Sequence, residues 1–172
     1  MPLVVEDGTG LANSDSYQAL ADARLSAASL GLCLPAQDVD AEIALRNGAR
    51  YADRYEGRFS GSRLLDAQAL AYPRENSYRC FGSNTIDVDS DSIPKEIILA
   101  QLFAAIEYGA GTDVMPTDDG LSIQSEEVTG AVKVQYFDNG KTGNSIVITK
   151  AIDALKPLLC VGGGLSCRTV RT

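Results

Sequence analysis

Ile93-Pro94-Lys95-Glu96-Ile97-Ile98-Leu99-Ala100-Gln101-Leu102-Phe103-Ala104-Ala105-Ile106-Glu107-Tyr108-Gly109 is the most apolar stretch of the chain, and its reading decides the fold class. Proline suits the first position of a helix, where its missing N–H costs nothing, and glycine suits the end. Ile97, Ile98, Leu99, Leu102, Phe103 and Ile106 cover more than one helical stripe. A helix that is apolar over so much of its circumference is buried on several sides, so 94–108 is predicted to be the central core helix.

Helices are predicted on both flanks of this centre. Upstream, Asp38 caps a helix running to about Tyr55, with Ala44, Gly48, Tyr51, Ala52 and Tyr55 as its buried stripe. Before it, Asn13 or Ser14 caps a first helix carrying Tyr17, Leu20, Ala21, Arg24 and Ala28 on one stripe, stopped at Leu30-Gly31. A short apolar strand, Leu3 to Val5, leads into the turn cluster Asp7-Gly8-Thr9-Gly10. Asp66 is predicted to start a short helical stretch that Pro73 ends, and 76–92 reads as a polar surface loop.

Downstream, Ser122 to Val128 and Ala131 to Phe137 alternate apolar and polar residues around Thr129-Gly130, the pattern of a hairpin. Ile148, Ile152, Leu155 and Leu159 then mark one face of a last helix, interrupted at Pro157. Gly162-Gly163-Gly164 releases a tail. The predicted architecture is mainly α: a helical bundle with a small antiparallel β-hairpin near 122–137, all within one domain over 1–160, and an extended C-terminal arm over 161–172.

The 172 residues suffice for one core without staples, since a chain of this size buries roughly two-thirds of its unfolded surface. Cys33, Cys80, Cys160 and Cys167 form no Cys-x-x-Cys pair and there is no histidine, so no zinc ligand spacing exists. Reduced thiols in a cytoplasmic setting are the expectation, with no signal segment and no membrane span. Without histidine the commonest general base is missing, and no Gly-x-Ser-x-Gly elbow is present. A non-catalytic chain without metal or cofactor is expected; a carboxylate-based small-molecule enzyme is the outlying alternative.

Two motifs fail on inspection. Asp87, Asp89 and Asp91 sit at the first, third and fifth positions of a calcium loop, but Ser92 and Ile98 stand where glycine and glutamate are required. Gly8-Thr9-Gly10 supplies two glycines of a dinucleotide fingerprint, with Asn13 in place of the third.

Charge is more informative. The net charge is −8, yet residues 46–79 hold seven arginines against four acids, a local +3 that leaves −11 for the remainder. Arg46, Arg50, Arg54 and Arg58 recur at a spacing of four, which places them along one face of the second helix. Tyr51, Tyr55, Tyr72 and Tyr78 interleave with them. Three readings are open for this face. Single-stranded nucleic acid could track the arginines and stack on the tyrosines. An acidic face of a neighbouring copy could meet it in a head-to-tail ring. A solvated face with internal ion pairs, such as Glu42 with Arg46, is the plainest.

Several segments together resemble a known family. They are Leu3-Val4-Val5-Glu6-Asp7-Gly8-Thr9-Gly10 through Tyr17, Gln68-Ala69-Leu70-Ala71-Tyr72-Pro73-Arg74, Ile93-Pro94-Lys95-Glu96, the Ser125 to Tyr136 strand pair, and Ala154-Leu155-Lys156-Pro157-Leu158-Leu159. The family carries two descriptions, tailed-phage head–tail connector (adaptor) and DnaT-like single-stranded DNA-binding protein. With a charge of −8, the adaptor is the preferred expectation and the DNA-binding replication accessory the alternative. The adaptor resemblance implies a structural virion protein of the phage neck, assembled in the host cytoplasm. Its implied partners are the portal protein, neighbouring copies in a twelvefold ring, a downstream tail or head-closure protein, and double-stranded DNA passing without specific binding. It further implies an arm in which Leu165, Arg168, Val170 and Arg171 dock on the portal, and a subunit or portal interface at Arg46, Arg50, Arg54 and Arg58. Asp87, Asp89 and Asp91, or Asp113, Asp118 and Asp119, would repel phosphate from the channel wall.

Overall fold

The computed structural model describes residues 2–82, 84–115, 125–128, 132–135 and 147–159. Among these residues the helices are α1 (Leu20–Ser29), α2 (Asp38–Asp53), α3 (Lys95–Gly109) and α4 (Thr149–Leu155). Three two-stranded antiparallel ladders accompany them: β1 (Ser62–Arg63) with β2 (Arg74–Glu75), β3 (Tyr78–Phe81) with β4 (Asn84–Asp87), and β5 (Ser125–Val128) with β6 (Val132–Gln135). The fold is mainly α with small β-hairpins, as the periodicity indicates. The chain divides into two compact units, Met1–Val114 with Ile148–Thr172, and Met115–Val147. The second unit holds the β5–β6 hairpin, within the stretch where alternation predicts one; the C-terminal arm lies outside the described residues.

In the first unit α3 is the centre, packed mainly on α2 and also on α4. Ile97, Ala100, Gln101, Leu102, Ala104 and Ala105 are buried, which bears out the reading of 94–108 as the core helix. The α2–α3 contact is built from small residues. Ala44, Leu45, Leu102 and Ala105 form one cluster with Ala23 and Ala27 of α1. Gly48 is required at the crossing, because a Cβ there would lie 2.3 Å from the Gln101 carbonyl oxygen and 3.0 Å from the Ala105 nitrogen.

One polar group sits inside this apolar contact. The Gln101 side chain is fully buried; its Oε1 accepts from the Tyr17 backbone N–H at 3.0 Å, and its Nε2 donates to Ser16 Oγ at 2.7 Å and to the Leu45 carbonyl at 3.0 Å. An amide so paired avoids the desolvation cost of an orphaned polar group. These bonds also hold Ser16 and Tyr17 out of helical geometry, so α1 starts at Leu20, later than the predicted cap at Asn13 or Ser14. Val5 makes a single parallel bridge to Ser16 instead of belonging to a longer strand.

Two further expectations are corrected. No helix follows Asp66. The Gln68 side chain takes over the local backbone, accepting from Leu65 N at 3.0 Å and donating to the carbonyls of Leu70 and Pro73 at 2.8 and 3.0 Å. Residues 76–92 are not simply a loop, because they contain the β3–β4 hairpin. Every residue of β4 is exposed, so there was no buried face to impose an apolar alternation. The hairpin is tied down by Cys80 N donating to the Pro157 carbonyl at 2.7 Å and by Arg79 Nε on Glu96 Oε1 at 3.0 Å. Cys80 is disulfide-bonded, contrary to the expectation of reduced thiols, whereas Cys33 is exposed and free. Cysteine spacing carried no sign of this. Among the described residues, no helix is long and apolar enough to cross a membrane.

Candidate nucleic-acid interface

The seven arginines of residues 46–79 separate into two groups. Four are engaged inside the molecule. Arg46 Nε lies 2.6 Å from Asp15 Oδ2, with Glu42 3.6 Å from the same guanidinium. Arg63 grips Glu56 with two nitrogens at 2.6 and 2.7 Å and donates to the Gln68 carbonyl at 2.8 Å. Arg74 is buried and donates to the carbonyls of Ser60, Gly61 and Ala71 and to Glu56. Arg79 pairs with Glu96. The remaining three, Arg50, Arg54 and Arg58, are exposed.

This sorting revises the predicted arginine face. α2 stops at Asp53, so Arg54 is its C-cap and Arg58 ends a short 3-10 turn, Glu56–Arg58. Only Arg46 and Arg50 lie within the helix, and Arg46 is turned toward Asp15 as well as the predicted Glu42. The tyrosines sort in the same way. Tyr51 is fully buried, its hydroxyl accepts from Ile148 N at 2.8 Å, and burial pushes its pKa up to about 12. Tyr72 is fully buried against Phe59, its pKa raised chiefly by burial. Neither can stack a base. Tyr55 and Tyr78 remain half-exposed. The Arg54 guanidinium lies 5.5 Å from the Tyr55 ring centre and 5.2 Å from that of Tyr51, within cation–π range.

Beside Arg50 the surface opens into a recess of about 350 Å³, walled by Ser14, Asp15, Arg46, Arg50, Asp53 and Arg63. Asp53 is its unusual member. Burial raises its carboxyl pKa from 3.8 to about 7, although hydrogen bonds from the Tyr17 hydroxyl and the Ala71 N–H favour the charged form; Glu56 raises it further and Arg63 lowers it. Tyr17 is itself raised well above the usual tyrosine value, by burial first and then by the Asp53 charge. Glu56 is held below the usual carboxylate range, chiefly by its hydrogen bond from Arg63. Sequence reasoning did not find Asp53, Tyr17 or this recess; one aspartate among 23 acids carries no local mark of burial.

The N-terminal glycine turn has no ligand role to explain. Gly8 N and Gly10 N donate to Glu6 Oε1 at 3.2 and 2.9 Å, and Leu11 N and Ser14 Oγ donate to Glu6 Oε2 at 3.0 and 2.8 Å. The turn wraps the chain's own buried carboxylate. Gly8 is needed at φ +97°, where a Cβ would meet the Asp91 carbonyl oxygen at 2.0 Å. Asp87, Asp89 and Asp91 are exposed, and no group of acids, cysteines or histidines among the described residues could hold a metal ion. Leu165, Arg168, Val170 and Arg171, the predicted docking arm, lie outside the described residues, as do Asp118 and Asp119.

Comparison with known proteins returns one result. The family model described as "Putative DnaT-like ssDNA binding protein" matches residues 1–172. No curated protein matches, and no solved structure matches. The family match overturns the expectation of a phage-neck adaptor, and with it the virion assignment, the portal, ring and tail partners, and the passive passage of double-stranded DNA. The preference for the adaptor rested on net charge, and a summed charge of −8 says little about a surface on which the acids and arginines are so unevenly engaged. By a match over its whole length, the chain belongs to the family of DnaT-like ssDNA binding proteins.

Proposed function

We propose that the chain binds single-stranded DNA, without catalysis, through the cations that close α2. The observation that carries this reading is the exposure of Arg50, Arg54 and Arg58, which lie close together in sequence at the end of α2 and in the turn after it. Three guanidinium groups, one on the last turn of α2, one at its C-cap and one on the 3-10 turn that follows, suit a flexible phosphate backbone, which can bend to follow them. The half-exposed Tyr55 ring beside Arg54 supplies a face for a base, and such stacking is worth about 1–3 kcal/mol per base.

Binding of this kind releases counterions. Each neutralised phosphate of a single strand contributes roughly −0.7 to the slope of log K against log salt, so three contacts give a slope of about −2. Long-range repulsion from the net charge of −8 weakens the encounter, so contact depends on the local cations. Fluorescence anisotropy of a labelled oligothymidine against the full chain tests the reading. A salt slope near that value is expected; affinity independent of salt, or none at low salt, overturns it.

A further inference from the structure

We propose that the recess beside Arg50 is a phosphate-binding subsite whose occupancy is controlled by the proton on Asp53. The inference rests on the DNA-binding reading and gives it a defined anchor point.

The preference for an anion follows from which hydrogen-bonding groups are already engaged. Asp15 Oδ1 accepts from Val4 N at 2.8 Å and its Oδ2 from Arg46 Nε at 2.6 Å. Asp53 accepts from the Tyr17 hydroxyl and, at 3.2 Å, from Ala71 N. Ser14 Oγ donates to Glu6, and Arg63 is engaged by Glu56 and the Gln68 carbonyl. Every carboxylate oxygen lining the recess therefore already faces a donor from the protein. Arg50 is different: its guanidinium carries five N–H donors, is exposed, and has no hydrogen bond or ion pair among the described residues. A ligand that complements this inventory must bring acceptors and negative charge. A planar fork of donors matches phosphate, and a volume of about 350 Å³ admits a phosphate with part of its sugar.

Asp53 stands one helical turn from Arg50, on the same side of α2. The charged or titratable groups around it are Tyr17 from the N-terminal segment, Glu56 and Arg63 from the segment after α2, and Arg46, Arg50 and Asp15 around the recess. Ionised, it opposes an incoming phosphate; protonated, it removes that opposition. Its carboxyl titrates near pH 7, so the control operates in the neutral range. A phosphodiester keeps its single charge throughout that range, so a pH effect on oligonucleotide affinity reports the protein. A phosphomonoester titrates there itself.

The test uses the full chain with a 5′-hydroxyl oligothymidine, read by anisotropy at about pH 6 and about pH 8, and with inorganic phosphate as competitor at one fixed pH. Expected for the unaltered chain is tighter binding at the lower pH, by up to about tenfold, the change in protonated fraction of a group near pH 7. Arg50→Gln should reduce the pH effect and lower the salt slope by about 0.7. Asp53→Asn should bind at the higher pH as the unaltered chain does at the lower. If Asp53→Asn fails to fold, the exposed Arg50→Gln still decides. An oligonucleotide affinity that ignores both pH and Arg50→Gln, with no competition by phosphate, overturns the subsite and leaves the DNA-binding reading standing. Capture of inorganic phosphate that requires Arg50, with no oligonucleotide bound, overturns the DNA-binding reading and assigns the subsite to a free phosphate.

Discussion

The hydroxyl of Tyr17 donates to the half-buried carboxylate of Asp53, joining the N-terminal segment to the last residue of α2, and Tyr72 N donates in turn to the same Tyr17 oxygen at 3.3 Å. The carboxyl is more protonated in the folded chain than in the unfolded one, because burial raises it from 3.8 to about 7.

The sign for stability follows. Between about pH 4 and pH 7 the native state holds a proton that the unfolded state has released, so stability falls as pH rises through that window and levels off above it. The full difference is on the order of 4 kcal/mol, from about 1.4 kcal/mol per pKa unit. Glu56 acts oppositely and lower down, its stabilisation being lost as pH falls below the ordinary carboxylate range. Urea unfolding across pH 5 to 8, at roughly unit steps, should show declining stability in the unaltered chain and a nearly flat profile in Asp53→Asn. A flat profile in both would refute the assignment.

Gly48→Ala should destabilise the chain by about 2 kcal/mol or more. The added methyl meets backbone, the Gln101 carbonyl at 2.3 Å, so two helices must move apart. The better helix propensity of alanine, about 1 kcal/mol, offsets only part of this. Thermal melts followed by circular dichroism would check it, and a raised melting temperature would show that α2 and α3 are less closely packed.

Glu6→Gln tests the wrapped carboxylate. Four donors converge on the two Glu6 oxygens, and the amide replaces one oxygen by a donor that faces donors. A loss of about 3 kcal/mol is expected, with faster amide exchange at Gly10 and Leu11. Stability unchanged by the substitution would count against this account of the turn.

Arg54→Glu with Arg58→Glu should leave the chain folded, as circular dichroism would check, since both side chains are exposed and the loss at Arg54 is confined to its contacts at the end of α2. Oligonucleotide affinity should fall by at least about tenfold at low salt, with the salt slope lowered by about 1.4. An unaltered slope would move the DNA-binding surface elsewhere.

Elements with a strong apolar period were legible in the sequence. α2 and α3 fall where Tyr51, Ala52, Ile97 and Leu102 place them, and β5–β6 within the stretches Ser122 to Val128 and Ala131 to Phe137 that alternate. What escaped was decided by contacts between distant residues. Gln101 captures Tyr17 and delays α1; Gln68 captures the chain before Pro73; β4 buries nothing. The candidate site was half legible. The arginine cluster was visible by count, but the partners that divide it, Asp15 for Arg46 and Glu96 for Arg79, lie 31 and 17 residues away. Asp53 was read only as one more charge.

The Gln101 amide also determines which way the helices can slide. The facing surfaces of α2 and α3 are rich in alanine, so displacing one helix by a turn would exchange one methyl group for another except at Gly48, where the incoming methyl would meet the Gln101 carbonyl. The same displacement would break the three hydrogen bonds of the Gln101 amide at once and leave the Tyr17 N–H without its acceptor in a buried region. The amide and the Gly48 notch together act as a detent, giving the pair of helices one resting position.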